Sequence, residues 1–260
     1  MTIFKIYKME LYKMLKRKTS FILMLPSILA IIVGIALKSG GLKITSTKTV
    51  YSCMDYTLGI WGILTSIGIV GIFFILVSAF QWSSEVEHGQ IKILMLRAGR
   101  RSNILIGKFI AMITSIALSI VMFIIVNIAT YYIFIANSKF GNGSFLLKIN
   151  GLTMENLILS ILCTLVTYAI LVAITYCIGI RFNMMITFIV ALIVMYAGRY
   201  ISQIKDLMFV KYTSFYMENS FLSGKSITGL DGMIFVIFSL ILITSLMIIS
   251  IKLFSKTDIK

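Results

Sequence analysis

The sequence predicts an all-α membrane protein with six transmembrane helices, an N-terminal amphipathic interfacial helix, and short extracellular helices between spans five and six. Three observations carry this. First, six stretches, 19–37, 56–84, 109–138, 156–180, 182–198 and 232–251, contain no Asp, Glu, Lys or Arg. About 20 apolar residues, at a rise of about 1.5 Å each, cross a hydrocarbon core of about 30 Å. Second, the 260 residues are 59% hydrophobic and only 13% charged, with a mean hydropathy of +1.02; a soluble domain carries about a quarter charged residues. Third, the apolar runs lack period-2 alternation. Inside lipid every backbone polar group must be paired within the protein, so unbroken runs select helices over a closed barrel.

The chain reads as one transmembrane domain, 1–260, with an amphipathic helix over 1–18 and spans near 20–37, 58–82, 107–135, 156–180, 183–200 and 232–253. At the start, Ile3, Phe4, Tyr7, Leu11 and Met14 fall at helical spacings with lysines between them. That pattern suits a helix lying on the inner leaflet. A cleaved signal peptide is the competing reading of a basic start followed by an apolar stretch, but the basic segment is long and includes Glu10. The single proline, Pro26, either kinks the first span or sits in its first turn. Small residues recur at helical spacing, namely Ala30 with Gly34, Gly59 with Gly62, Gly68 with Gly71, and Ala111, Ser115 and Ser119. Such faces let helices approach closely, within the bundle or between subunits. Beyond the fifth span, Phe209, Tyr212, Phe215, Tyr216 and Phe221 accumulate among lysines. Aromatics at this density favour the membrane interface, so one or two short helices are expected there, dipping into the leaflet or capping the bundle.

The net charge of +15 raises the question of nucleic acid, but the basic residues sit at the ends of the spans. Lys5, Lys8, Lys13, Lys16, Arg17 and Lys18 precede the first span, and Lys92, Arg97, Arg100, Arg101 and Lys108 crowd the second connection. By the positive-inside rule both are cytoplasmic. Six spans return Lys252, Lys256 and Lys260 to that side, together with the connection at Arg181. Both termini are therefore expected in the cytoplasm, with anionic lipid rather than nucleic acid as the partner of the basic residues.

The inventory of reactive residues excludes several activities. The single histidine, His88, has no H-E-x-x-H partner, and there is no G-x-S-x-G elbow. Cys53, Cys163 and Cys177 are odd in number, and the last two stand about 21 Å apart along one helix, too far for a disulfide. None of the uncharged runs supplies a carboxylate for a proton or cation relay. Ser223-Gly224-Lys225-Ser226 ends like a phosphate-binding loop, but Asn219 stands where the first glycine belongs and no buried strand precedes it. No cofactor, metal site or ATPase is expected in the chain.

The informative connection runs from Ser83 to Arg101 and on to Lys108. Ser84 and Glu87 have capping-box spacing. Ile91, Leu94, Met95 and Ala98 recur at i, i+3, i+4 and i+7. This predicts a short amphipathic helix at the cytoplasmic surface, with a plain basic loop held to anionic lipid as the simpler alternative. Glu85 and Glu87 stand about 200° apart on such a helix, a poor arrangement for shared acid and base work.

This stretch resembles the connection after the second span of ABC-2 type permeases, the membrane subunits of one class of ABC exporter. Their pattern has a glutamate, a glycine four later, a threonine or related residue, a leucine and a basic pair before a lysine entering span three. Glu85, Gly89, Gln90, Leu94, Arg100 with Arg101, and Lys108 fill those positions. Gln90 stands in place of the commoner threonine, and Ala98-Gly99 lacks the frequent proline. Six spans, a basic amphipathic start and the absence of an ATPase extend the resemblance over the chain.

The resemblance implies that the connection is a coupling helix seated in a separate ABC ATPase. Glu85, Glu87 and Gly89 would set its geometry, Gln90 and Leu94 would belong to the same coupling element, and Arg100 and Arg101 would contact ATPase or lipid. It further implies a pair of permeases, as a homodimer or heterodimer, in a bacterial plasma membrane. Within the family, the short six-span members most similar to this chain are bacitracin and lantibiotic self-protection exporters and exporters of amphipathic peptide toxins. An amphipathic or antimicrobial peptide, or a lipid-like compound, is the implied substrate. The rival readings are an ion-coupled or channel-like protein acting without an ATPase, and a membrane anchor without transport.

Overall fold

The computed structural model describes residues 2–40, 51–98, 100–138, 140–146, 154–204, 213–222 and 229–256. The Ser223 to Ser226 string, Phe209 and Tyr212 lie outside them. Eleven α-helices are described: α1 (Ile3–Lys16), α2 (Leu25–Lys38), α3 (Cys53–Ile67), α4 (Ile69–Gln81), α5 (Ser83–Glu87), α6 (Gln90–Ala98), α7 (Arg101–Thr130), α8 (Met154–Ile178), α9 (Met184–Ile201), α10 (Ser214–Leu222) and α11 (Gly229–Lys256). Six helical segments among the described residues are long and apolar enough to cross a membrane. They are Lys18–Lys38, Ile69–Glu87, Arg101–Ile135, Ile158–Ile178, Met184–Ile201 and Leu230–Lys256. The all-helical, six-span architecture expected from the sequence is what the chain adopts.

Helices α7 and α8 form the centre. α7 packs against α1, α2, α3, α6, α8 and α11, and α8 against α4, α7, α9, α10 and α11. The periphery belongs to α9 and α11, of which only 17% and 22% of the apolar window is buried, against 61% for the α4–α5 span. Lipid tails are as apolar as leucine, so helices in a bilayer are held by close packing and polar contacts rather than by hydrophobic exclusion. The small residues meet that need inside the bundle. A Cβ on Gly34 would overlap the Thr130 methyl group, and one on Gly71 would overlap Met195. Ser115 and Ser119 face α1 and the turn after it, where the Ser119 hydroxyl donates to the Leu23 carbonyl. Gly59 is the exception, open and exposed. Many of the remaining hydroxyls bond back to their own helix, as Thr57 does to Cys53 and Thr175 to Leu171, which satisfies those donors in an apolar medium.

Three elements differ from the expectation. The uncharged run 56–84 is two helices, because Gly68 adopts φ of +90° between α3 and α4, a left-handed conformation that glycine reaches without a Cβ penalty. Of the expected span 58–82, only the part beyond Gly68 belongs to a crossing helix. α3 starts from its own capping box, Ser52 with Asp55, and packs Tyr56 on Tyr131 and Trp61 on Phe123. Its last carbonyls receive hydrogen bonds from α9, Ser66 from Arg199 at 2.9 Å and Ile67 from Tyr196 at 3.2 Å.

The first span begins as a 3-10 helix, Lys18–Met24. Pro26 follows in the first turn of α2, where its missing N–H costs nothing. The third span starts at Arg101, six residues before the expected boundary, and ends in a π-helical turn, Tyr131–Ile135. The buried face of α1 is Ile6, Glu10 and Met14. Phe4 is 69% exposed and shares the opposite side with Tyr12 and Leu15, so α1 has one face for the bundle and one exposed apolar face.

Between α9 and α11 the described chain forms one short helix, α10, which lies on α8, in keeping with the expected capping element. The three cysteines are free thiols.

Gly34→Ala is expected to cost about 1–3 kcal/mol by overpacking against Thr130. Adding Thr130→Ser, which removes the methyl group, is expected to recover part of that loss in thermal unfolding of the detergent-solubilised protein.

Candidate functional site at the basic end of the bundle

The start of α1, the α5–α6 connection, the start of α7 and the end of α11 meet at one end of the bundle. Ile6 of α1 lies against Gly107 of α7, where an added Cβ would come within 2.8 Å. Phe254 of α11 packs on Trp82 at 5.3 Å between ring centroids. Trp82 stacks on Tyr176 of α8 and donates its indole N–H to the Tyr176 carbonyl at 2.9 Å. The Tyr176 hydroxyl reaches Gln81 at 2.8 Å. These aromatic and polar contacts fix the end of α4 against α8.

Inside this frame sits a buried ion cluster. Lys108 has 0% of its surface exposed and donates to Glu10 at 2.7 Å and to Glu85 at 2.6 Å. Arg17 reaches the other oxygen of Glu85 at 2.6 Å, and Lys13 is paired with that same oxygen. Lys13 also lies 3.9 Å from Glu10. Three cations and two carboxylates from three separate elements therefore share one small volume. A buried charge is tolerable only when it is paired and hydrogen-bonded, and each carboxylate here has at least two basic neighbours. The cluster ties the amphipathic helix to the α5 turn and to the third span.

Glu85, placed by sequence in the connection's docking geometry, is thus an internal anchor. Glu87 points the other way, is exposed, and accepts from the Met184 N–H at 3.0 Å. Together with Asn183, which accepts from Ile186, it caps the start of α9. The capping box expected between Ser84 and Glu87 is not formed. The chain is already helical through Trp82, whose N–H bonds Ser78, and α5 follows it directly. Ser84 instead contacts His88.

Gly89 separates α5 from α6 with φ of +68°, which explains why a glycine is needed there. Gln90 opens α6 and is exposed. The expected apolar face of α6 is present where it is described: Ile91 is buried, and Leu94 and Met95 pack beside Ile6 and Ile104. The side chain of Ala98 lies outside the described residues. Ile93 and Leu96 project away, 62% and 88% exposed. Arg100 is exposed at the head of α7. Arg101, expected to reach out to lipid or a partner, turns inward and donates to the Phe254 carbonyl at 2.9 Å. Carbonyls at a helix end attract basic donors, and the guanidinium reaches two of those of α11, Phe254 and Ser255.

Sequence reasoning missed Glu10, Lys13 and Arg17 as partners of Glu85. Glu10 stands alone among four lysines in α1, in register with Ile6 and Met14, and that spacing was the available signal. It also missed Glu218 of α10, 4% exposed, whose carboxyl lies against Thr164 of α8 at 2.9 Å.

The family described as a protein of unknown function, DUF2705, matches residues 28–260. The chain belongs to this family. No curated protein and no solved structure matches it. The match to DUF2705 spans every element of the site except α1 and Lys18–Met24, so Glu85 and Lys108 fall within it and Glu10, Lys13 and Arg17 precede it.

Lys108→Met leaves two buried carboxylates without their central cation and is expected to lower stability by about 3–5 kcal/mol, read as a fall in unfolding temperature. Combining it with Glu10→Gln and Glu85→Gln is expected to restore most of the loss, because no buried carboxylate is then uncompensated and the remaining cations, Lys13 and Arg17, are partly exposed.

Proposed function

We propose that the chain is the membrane-spanning permease subunit of an ATP-driven exporter, with ATP hydrolysed by a separate ABC ATPase docked on α6. The observation that carries the reading is the build of α6. One of its faces is anchored through Ile91, Leu94 and Met95, while Ile93 and Leu96 stand free on the other. Large apolar side chains exposed beyond the basic end are costly in water and suit burial in a protein groove.

Such a helix transmits motion only if its base is stiff. Gly89 makes a tight turn, Glu85 is held by Lys108, Lys13 and Arg17, and Glu87 caps α9. Closure of an ATPase dimer would then displace α4, α7 and α9 together through one element. A second permease, identical or not, would complete the pathway. The basic end would face the cytoplasm of a bacterial cell, with both termini on that side and the exposed faces of α9 and α11 in the plasma membrane. An amphipathic or antimicrobial peptide, or a lipid-like compound, is the cargo that suits walls of apolar, hydroxyl and aromatic side chains.

One observation favours the rival, an ion-coupled or channel-like protein. Glu218 brings a carboxyl against the membrane-spanning α8, although no span carries one in its uncharged run. Intramembrane carboxyls mark proton and ion pathways.

The two readings separate on reconstitution. With an ATPase encoded beside it, the chain in lipid is expected to give substrate-stimulated ATP hydrolysis. Leu96→Asp is expected to cut that stimulation at least about tenfold, a loss of about 1.4 kcal/mol or more in docking, with the unfolding temperature unchanged. Transport driven by an ion gradient or membrane potential without ATP would reject the proposal in favour of the rival.

A further inference from the structure

The Glu218 carboxyl has more hydrogen-bond acceptors around it than protons to share. Thr164 Oγ1 lies 2.9 Å from Glu218 Oε1 and 2.8 Å from the carbonyl oxygen of Ser160. A threonine hydroxyl has a single proton. If Thr164 keeps its bond to the Ser160 carbonyl, the proton between Thr164 and Glu218 must come from the carboxyl. Thr65 of α3 repeats the situation: it bonds the Trp61 carbonyl at 2.8 Å and also reaches Glu218. A protonated Glu218 gives one of these contacts its missing donor, whereas an ionised one must draw a hydroxyl away from its helix.

The surroundings disfavour the charge as well. α8 contributes Cys163 and Tyr168 near the carboxyl, and α11 meets α10 through Phe235 against Met217. The cationic neighbour is Arg199 of α9, whose guanidinium is engaged with the Ser66 carbonyl at 2.9 Å and lies over the Phe215 ring at 5.7 Å. Donation from the Thr164 hydroxyl, the Arg199 charge and donation from Thr65 favour the ionised form. Burial opposes it and wins, so the carboxyl is held above its ordinary range.

We infer that Glu218 is a proton-binding site at the far end of the bundle, and that its protonation governs whether α10 stays seated on α8. Phe215 packs on Gly198, and Met217 sits with Cys163 and Phe235. Among the described residues the seat is therefore largely apolar, with the carboxyl, its hydroxyls and the Arg199 guanidinium set into it. A seated α10 binds the proton more tightly than a displaced one, so seating is strongest in acid. It weakens as pH rises through the raised value, because the ionised carboxyl is better solvated when α10 lifts away. The site does not depend on an ATPase partner.

The test is amide hydrogen exchange of the full chain in lipid nanodiscs from about pH 5 to about pH 8, expressed as protection factors so that intrinsic exchange is divided out. In the wild type, protection of α10 is expected to fall more than about tenfold across that range while α7 and α8 stay constant. Glu218→Gln, neutral at every pH, is expected to keep α10 protected throughout. Protection independent of pH in the wild type, or a fall of the same size in Glu218→Gln, would overturn the inference. An infrared titration of the wild type serves if the variant does not fold. A protonated-carboxyl band that persists above the usual glutamate range is expected, and its absence is the contrary result.

Discussion

The arrangement at the basic end depends on one lysine. Lys108 enters α7 with no surface exposed and lies between two carboxylates from elements 98 and 23 residues distant in sequence. A lysine so placed is stable only while both partners are present, and each partner brings a helix with it. Glu10 brings α1, which would otherwise be a basic amphipathic segment free to lie anywhere on a membrane surface. Glu85 brings the α5 turn, and through Gly89 it fixes where α6 begins. Replacing such a cluster by apolar residues of equal volume is often neutral for stability. Its contribution here lies in specifying one arrangement of three helices, which hydrophobic packing in lipid does poorly because tails and side chains are equally apolar.

The same constraint orders the rest of that end. With α1 and α5 fixed on α7, Trp82 reaches Tyr176 and Phe254, and Arg101 meets the end of α11. Glu87, on the opposite side of its turn from Glu85, is left to cap α9. Residues two apart on one short helix thus hold different neighbours, one within the bundle and one at its rim. The far end is built differently, from close contact at Gly34 and Gly198, the Tyr131 hydroxyl on the Tyr51 carbonyl, and the hydroxyl-lined seat of Glu218. Charge organises one end and apolar contact organises the other.

The spans were legible because the absence of charge over about 20 residues is a strong constraint in lipid. The break at Gly68 was not legible: a glycine in an apolar run serves equally as a packing face or a turn, and only its contacts with Met195 and Tyr196 distinguish them. The apolar face of α6 could be read from spacing alone. The inward turn of Arg101 could not, because it depends on where α11 ends, more than 150 residues later. Glu85 stood out by its place in the connection, but its burial follows from Glu10, Lys13 and Arg17, which reach it only after α1 folds back onto α7. The apolar spacing of Ile3, Phe4, Tyr7, Leu11 and Met14 marks an amphipathic helix but does not say which residues meet the bundle, and the buried face of Ile6, Glu10 and Met14 follows from the partners of Glu10.

The central claim is that the Lys108 cluster joins α1, α5, α6 and α7 into one stiff body. Paired spin labels at Lys8 and Lys92, both exposed, would report the distance between α1 and α6 in a lipid bilayer. A single narrow distance distribution in the wild type that broadens in Glu85→Gln is the result this account predicts. A broad distribution in the wild type, or one that Glu85→Gln leaves narrow and unmoved, would contradict it.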